Sequence, residues 1–393
     1  MGGASKTGPK SLRALLYSAR FRGIVYQILV LAGVAAIGWY LVHNTLANLA
    51  ARGIATGLGF LGQEAGFDIG EAVIGYSAAD SYLMALIVGV LNTLKVAVLA
   101  IVLASIIGLV VGIARLSRNW LVARLATLYV EGVRNVPILL QLFVWYGIVT
   151  SLPVPRQAVD VGLGIFLSNR GLKIPAPVWD ASYWPAMVVL AVCVAGVFWL
   201  RRWAIDRLYR TGQPFPWLMT GLAAMIVAPG LTVWLFGAPL EWSMPHLQGF
   251  NFQGGANLSP EFAALLAGLS IYTASFIAEI VRSGILAVPY GQTEAALSLG
   301  LSRAKTLRLV VLPQALRVIV PPLTSQYLNL LKNSSLAVAI GYPDLVSVAN
   351  TAINQTGQAV EGVGLTMAVF LVISLSLSLL MNWYNAKVSL VTR

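Results

Sequence analysis

The chain has 393 residues, of which 58% are hydrophobic and 10% charged, and a formal net charge of +12. A water-soluble domain carries about 25% charged residues, so with a mean hydropathy of +0.80 a soluble fold would expose far too much apolar surface. Long continuous apolar runs exclude a transmembrane β-barrel, whose segments are short and alternate. They predict an all-α, polytopic membrane protein. The basic residues lie at the ends of those runs rather than on a soluble face. The charge therefore reports membrane orientation rather than nucleic-acid binding.

The N-terminal segment, 1–23, carries Lys6, Lys10, Arg13, Arg20 and Arg22 ahead of an apolar stretch from Ile24 to Val42. That stretch exceeds the about 7–15 residues of a signal-peptide core, and no clear A-x-A site follows, so it predicts a retained first span. Further spans are expected over Leu83–Ala114, Leu125–Thr150, Trp184–Leu200, Trp217–Phe236, Glu261–Leu286, Leu316–Ile340 and Val363–Tyr384, about eight in all. The second, fourth and sixth connections are basic, through Arg115, Arg118 and Arg124, then Arg201, Arg202, Arg207 and Arg210, then Arg303, Lys305 and Arg308. The alternate connections carry Glu64, Asp68, Glu71 and Asp80, then Glu241, then Asp344 and Glu361; only Arg52, Arg156, Arg170 and Lys173 lie against the trend. The positive-inside rule then predicts both termini in the cytoplasm. The connections 153–183 and 237–260, rich in Pro, Gly, Asn and Trp, read as irregular external loops with interfacial segments at Trp179 and Trp242. The single cysteine, Cys193, sits within an apolar run and reads as packing. His43 and His246 lack acidic or cysteine partners at metal-ligand spacing, so no metal site is expected.

One interval resists a purely membrane reading. Between the sixth and seventh spans stand Glu294, Ala295 and Ala296, then Gly300, Val310, Leu312 and Pro313. Read physically, Pro289 and Gly291 end the preceding span, and Thr293 caps a short helix whose first turn holds Glu294, where the helix dipole favours an acid. The alanines keep the surface low for close approach by a partner. Gly300 suits the left-handed position that closes the helix, Ser302 caps the next, and Pro313 marks a bend into the seventh span. No G-x-x-x-x-G-K-[ST] loop occurs, so no cofactor is expected on this chain.

This pattern resembles the cytoplasmic coupling loop of permease subunits in ATP-driven (ABC-type) importers. Beyond it, LNTLK (91–95), YVEGVRNVPILLQ (129–141), FIAEIVRSG (276–284) and LKNSSL (331–336) resemble the polar-amino-acid permease family, in its enlarged general L-amino-acid form. The resemblance covers about 80–150 and 260–390. It implies a five-helix permease core and a division of the chain. Residues 1–23 would be cytoplasmic, and 24–82 an extra first span with an external loop. Residues 83–150 would be the first part of the core, 151–260 an insertion with two extra spans, and 261–393 the rest, with the coupling loop at 289–313. It also implies partners: a second permease subunit, two separate ATPase subunits holding ATP and Mg, and a periplasmic amino-acid-binding protein. The substrate would be an L-amino acid, and the lipid membrane around them a bacterial inner membrane.

Within the spans, charge and polarity mark further candidates. Lys95 lies about a dozen residues into the second span, where a charge costs about 2.5–3.5 kcal/mol. The seventh span is interrupted by Gln326, Asn329, Lys332, Asn333, Ser334 and Ser335 and is then broken by Gly341-Tyr342-Pro343. Lys95, Asn329, Asn333, Ser334 and Ser335 are therefore expected to line a substrate pathway. Glu131 with Arg134 and Glu279 with Arg282 share i, i+3 spacing and are expected as ion pairs near an inner gate. An ion-gradient-driven secondary transporter would also carry polar intramembrane groups but has no need of residues 289–313. A membrane-embedded enzyme would need an acid–base or metal cluster, and the sequence offers none.

Overall fold

A computed structural model describes residues 19–51, 53, 56–178, 183–237 and 241–388; Arg52 and Trp179 lie outside the described residues. The chain divides into two compact units, Met1–Val98 with Leu286–Arg393, and Leu99–Ile285. Among the described residues, seven helical stretches are long and apolar enough to cross a membrane, and a bent pair makes an eighth when counted as one.

The first unit opens with α1 (Ala19–Ala51), whose apolar window is wholly unburied. A 3-10 turn at Leu58–Gly62 follows, and then α2 (Tyr82–Ala114), of which residues 82–98 belong to this unit. The intervening segment is ordered by an apolar cluster of Phe60, Ala65, Tyr82, Ala85, Val348 and Ala352. Tyr82 Oη also donates to Gln355 Oε1 at 2.8 Å.

The second unit continues with α3 (Trp120–Arg134) and α4 (Ile138–Thr150). These were expected as one span, but the axis turns by 106° between them. Pro137 is the cause. It has no N–H to give, and its ring drives Val136 away from helical geometry. The carbonyls freed by the break are not left bare: Gln141 Nε2 donates to Val133 O at 2.8 Å and to Val136 O at 2.9 Å.

α5 (Trp184–Thr211) and α6 (Trp217–Leu235) form an antiparallel hairpin, turned by Gly212 at φ +68°. The loops flanking that hairpin are not irregular. They form β1 (Val159–Gly162), β2 (Ile165–Ser168), β3 (Gly171–Ile174) and β4 (Ala176–Pro177), then β5 (Trp242–Ser243), β6 (His246–Gln248), β7 (Asn251–Gln253) and β8 (Ala256–Leu258). β1, β2, β3 and β8 make an antiparallel sheet in that order, so strands from both loops join one structure. Register places Val159, Leu167, Leu172 and Leu258 in one cross-strand row and Asp160, Phe166, Lys173 and Asn257 in the next. Phe166 of the second row stacks on buried Phe252 of β7 at 4.7 Å between ring centroids, a contact that hydropathy averaged over Pro- and Gly-rich stretches conceals.

α7 (Pro260–Leu286) is the most buried long helix of this unit. Its packing against residues 99–114 of α2 rests on Gly108 and Gly112, spaced four apart as in close helix crossings in lipid. A Cβ on Gly108 would lie 2.6 Å from Ile277 Cβ, and one on Gly112 would lie 2.8 Å from Ala278 O. Gly147, in contrast, has nothing within 4 Å of such a Cβ. Gly112→Ile is therefore expected to destabilise the folded chain by about 1–3 kcal/mol or to prevent accumulation. Gly147→Ala should leave the thermal midpoint in detergent nearly unchanged, and equal midpoints for the two variants would contradict the crossing.

Candidate functional site

The segment after α7 folds as α8 (Tyr290–Ser298), α9 (Arg303–Thr306), a π turn at Leu307–Val311 and α10 (Leu312–Asn333). α8 starts one turn earlier than its sequence suggests. Pro289, at φ −56° and ψ 132°, stands at its N-cap, Thr293 caps nothing, and Glu294 falls in the second turn. The proline presets the backbone for the first helical turn, so no capping hydroxyl is required. The helix is closed by Gly300 at φ +80°: Gly300 N–H donates to Leu297 O at 2.9 Å and Leu301 N–H to Ala296 O at 3.2 Å. This pair of bonds is a Schellman closure and requires the left-handed residue. Ser302 then caps α9, its Oγ accepting from Lys305 N–H at 3.5 Å.

Ala296 is buried, while Glu294, Ala295 and Gly300 are exposed. Leu299, between the two short helices, is 83% exposed. Such an apolar side chain beside an exposed carboxylate is what a protein partner can cover. Behind this tip Pro313 does not bend the chain; the helical stretch runs on from Arg303 to Ile340. The π turn just upstream widens the backbone where the ring would otherwise strike the preceding turn. Gln314 Nε2 braces the junction, donating to Val310 O at 3.0 Å and to Gln292 Oε1 on α8 at 3.4 Å. Leu312 and Pro313 thus tie the exposed tip to a long membrane helix.

The first unit holds a second polar assembly. α10 passes into a 3-10 turn at Ser334–Ile340, closed by Gly341 at φ +82°, and after Tyr342-Pro343-Asp344 the chain starts α11 (Leu345–Thr356). α12 (Ala359–Val388) follows. The break is held by α2. Asn92 Nδ2 donates to Pro343 O at 2.9 Å and to Glu71 O at 2.7 Å, and Thr93 Oγ1 accepts from Leu345 N–H at 3.0 Å. Gly89 allows this approach, since a Cβ there would lie 3.0 Å from Leu345 Cα. Beside them Lys95 Nζ pairs with Glu71 Oε1 at 2.5 Å. Lys95 was expected on a pathway; its ammonium instead meets a carboxylate that the sequence marked only as an external charge.

Asp344 is fully buried and caps α11, its Oδ1 accepting from Ser347 N–H at 2.9 Å. Burial pushes its acid up to about 7, against backbone hydrogen bonds that pull it down. Its Oδ2 and Asn92 Oδ1 have no hydrogen-bond partner among the described residues.

The polar residues of α10 separate. Lys332 and Ser335 line a cleft of about 610 Å³ with Thr366, Phe370 and Ser374 of α12. Asn329, Asn333 and Ser334 are not among the residues lining it. Ser334 is buried, with its hydroxyl donated to Leu331 O at 2.7 Å. Asn329 and Asn333 lie within α10 and Ser334 opens the 3-10 turn, so consecutive polar residues point in different directions around the axis.

In the second unit Glu279 binds two arginines. Its Oε1 accepts from Arg282 Nη2 at 2.7 Å, and its Oε2 accepts from Arg115 Nη1. Glu131 and Arg134 form no such pair among the described residues. The guanidinium of Arg134 lies 4.8 Å from the Phe276 ring centroid instead. Arg134 is the last residue of α3, and where the chain turns away an aromatic face competes with an exposed carboxylate.

Residues 187–389 match the family described as "Binding-protein-dependent transport system inner membrane component". The chain is 49% identical over 384 residues to the "General L-amino acid transport system permease protein AapQ" of Rhizobium johnstonii, covering 98% of this chain and 96% of that protein. It is 52% identical over 376 residues to the "Putative amino-acid ABC transporter permease protein YhdX" of Escherichia coli, covering 95% of each. The chain belongs to this family. The "Glutamate/aspartate import permease protein GltJ" of Escherichia coli is 29% identical over 245 residues, which are 97% of that protein but 60% of this chain. The permease is thus a multi-pass inner-membrane subunit of an ABC system, and ATP hydrolysis belongs to separate subunits.

The permease carries a testable pH signature at Asp344. An acid whose folded-state value is raised binds its proton more tightly folded than unfolded. Its stabilising effect is complete below the unfolded value of about 4 and is lost as pH rises toward the folded value. Asn keeps the cap but cannot ionise. The stability of the parent chain relative to Asp344→Asn is expected to fall between pH 4 and about 7 and to level off above. Parallel thermal midpoints of the two proteins across that range would contradict this.

Proposed function

We propose that this permease carries L-amino acids inward across the bacterial inner membrane, coupled through residues 289–313 to ATPase subunits. The observation that carries the reading is the exposed tip built by Gly300. Glu294 on α8 and Leu299 in the turn between α8 and α9 are exposed at a tip whose base is continuous with a membrane helix. A movement imposed on that tip would reach α10 directly, as rigid-body rocking requires. The names of AapQ and YhdX supply the substrate class.

In the assembly we propose, this chain pairs with a second permease subunit, two ATPase subunits bind ATP with Mg on the cytoplasmic side, and a soluble binding protein delivers the amino acid from the periplasm. The basic connections at Arg115, Arg207 and Arg303 support cytoplasmic termini. The shorter length of GltJ supports a five-helix core interrupted by the 151–260 insertion. For the pathway we favour the cleft at Lys332 and Ser335, where the Lys332 ammonium suits a substrate carboxylate and the Ser335 oxygen, its proton donated to Lys332 O at 2.7 Å, would accept from a substrate ammonium. Its volume lies within the about 300–1,000 Å³ of small-molecule sites. Lys95, Asn329, Asn333 and Ser334 would act by holding the helix break beside it. Glu279, with Arg115 and Arg282, is proposed as a structural clasp near the inner gate, with Glu131 and Arg134 at its edge. A family defined by dependence on a binding protein does not favour the ion-gradient alternative.

Glu294→Lys and Leu299→Asp should each reduce co-purification of the ATPase subunits at least about tenfold, a loss of about 1.4 kcal/mol, with membrane insertion unchanged. L-amino-acid uptake by proteoliposomes containing the whole complex should require both ATP and the binding protein. Uptake driven by a proton or sodium gradient in the absence of ATP would overturn the reading.

A further inference from the structure

The hairpin of α5 and α6 ends in a group of arginines that the coupling tip and the cleft do not use. On α5, Trp203, Asp206, Arg207, Arg210 and Thr211 follow i, i+3, i+4, i+7 and i+8 spacing, so they share one stripe. Together they line a cleft of about 330 Å³. Arg207 is held in place: its guanidinium lies 5.4 Å from the Trp203 ring and 5.9 Å from the Phe215 ring, and its Nη2 donates to Gln213 Oε1 at 3.3 Å. Trp203 and Phe215 meet edge to face at 5.2 Å, and Arg201 lies 5.7 Å over Trp217. Asp206 is the carboxylate of this end, against Arg201, Arg202, Arg207 and Arg210. Among the described residues, none of the three ion pairs involves any of these five side chains. Thr211 Oγ1 already donates to Arg207 O at 2.8 Å, which leaves the arginines as the donors for a ligand.

The same stripe continues toward the start of α5 as Trp199, Gly196, Val192 and Val188. Trp199 is 69% and Val192 65% exposed, and nothing lies within 4 Å of a Cβ placed on Gly196. The stripe is therefore a shallow apolar track leading into a cationic cleft. From Val192 to Arg207 it runs about 22 Å at 1.5 Å per residue, about half of a bilayer that measures about 40–45 Å with its headgroups.

We infer that this stripe binds an anionic phospholipid, with its phosphate between Arg207 and Arg210 and an acyl chain along Trp199, Gly196 and Val192. Guanidinium and phosphate form short charge-assisted hydrogen bonds. Basic clefts at the ends of membrane helices beside an aromatic belt suit such headgroups. The continuous apolar track is what selects a lipid: a soluble acidic segment could fill the cleft but would leave the track bare. The inference needs these helices to span the membrane and does not depend on the amino-acid substrate.

The whole complex, purified in mild detergent and stripped of lipid, can be offered phosphatidylglycerol or phosphatidylcholine and the bound lipid counted by native mass spectrometry. Phosphatidylglycerol should be retained about tenfold or more over phosphatidylcholine. Arg207→Gln with Arg210→Gln should abolish that preference, and Arg207→Lys with Arg210→Lys, which keeps the charge if the first pair misfolds, should weaken it partially. Gly196→Phe should reduce lipid retention with the arginines intact. Equal retention of the two lipids by the parent complex would overturn the proposal. Displacement by excess inorganic phosphate without any effect of Gly196→Phe would mark a free-anion site and also overturn it. Loss of a partner subunit from the glutamine variant with lipid retention unchanged would make the cleft a protein contact instead. Transport is not read in any of these arms, so failure of the amino-acid reading is separately visible.

Discussion

Where a helix breaks inside the hydrocarbon, the freed backbone groups have no water to turn to, and each one left unpaired costs several kcal/mol. Two breaks in this chain are closed by side chains. Gln141 serves the carbonyls of Val133 and Val136, and Asn92 and Thr93 serve the turn from Pro343 to Leu345. Without these amides and the one hydroxyl, the breaks at Pro137 and Gly341 would leave backbone groups unpaired.

The coupling tip obeys a related constraint at the water surface. Gly300 closes α8 in a left-handed conformation that other residues enter only at a cost. That closure projects Leu299 outward and leaves Ala296 buried beneath it. Exposed Ala295 and Glu294 and buried Ala296 thus sit on a short helix tied to α10 through the π turn. The π turn also answers why Pro313 does not interrupt the helix, since the wider turn makes room for the ring.

Much of this was legible in the residues. The interval from Glu294 to Pro313 stands out because nothing about crossing a membrane calls for it, and charge alternation needs only the positions of Arg, Lys, Asp and Glu. Gly300 and Ser302 were readable because their conformational roles are local. The position of the α8 start was not, because two cap signals compete within four residues and Pro289 wins over Thr293. The break at Asn135-Val136-Pro137 was present in the sequence too, but a hydropathy window averages across it.

Composition, charge order and one motif determined the class of this protein, most of its spans and the segment whose residues a membrane crossing does not explain. Those signals are local, and each residue carries its part alone. The tertiary structure decided what depends on neighbours distant in sequence: Lys95 meeting Glu71, Asn92 closing the turn at Pro343, β3 pairing with β8, and Arg134 lying on Phe276 rather than on Glu131. A polar side chain in an apolar run declares that it needs a partner. Which partner it finds is set by packing, because alternatives of similar energy differ only in what the fold brings within reach.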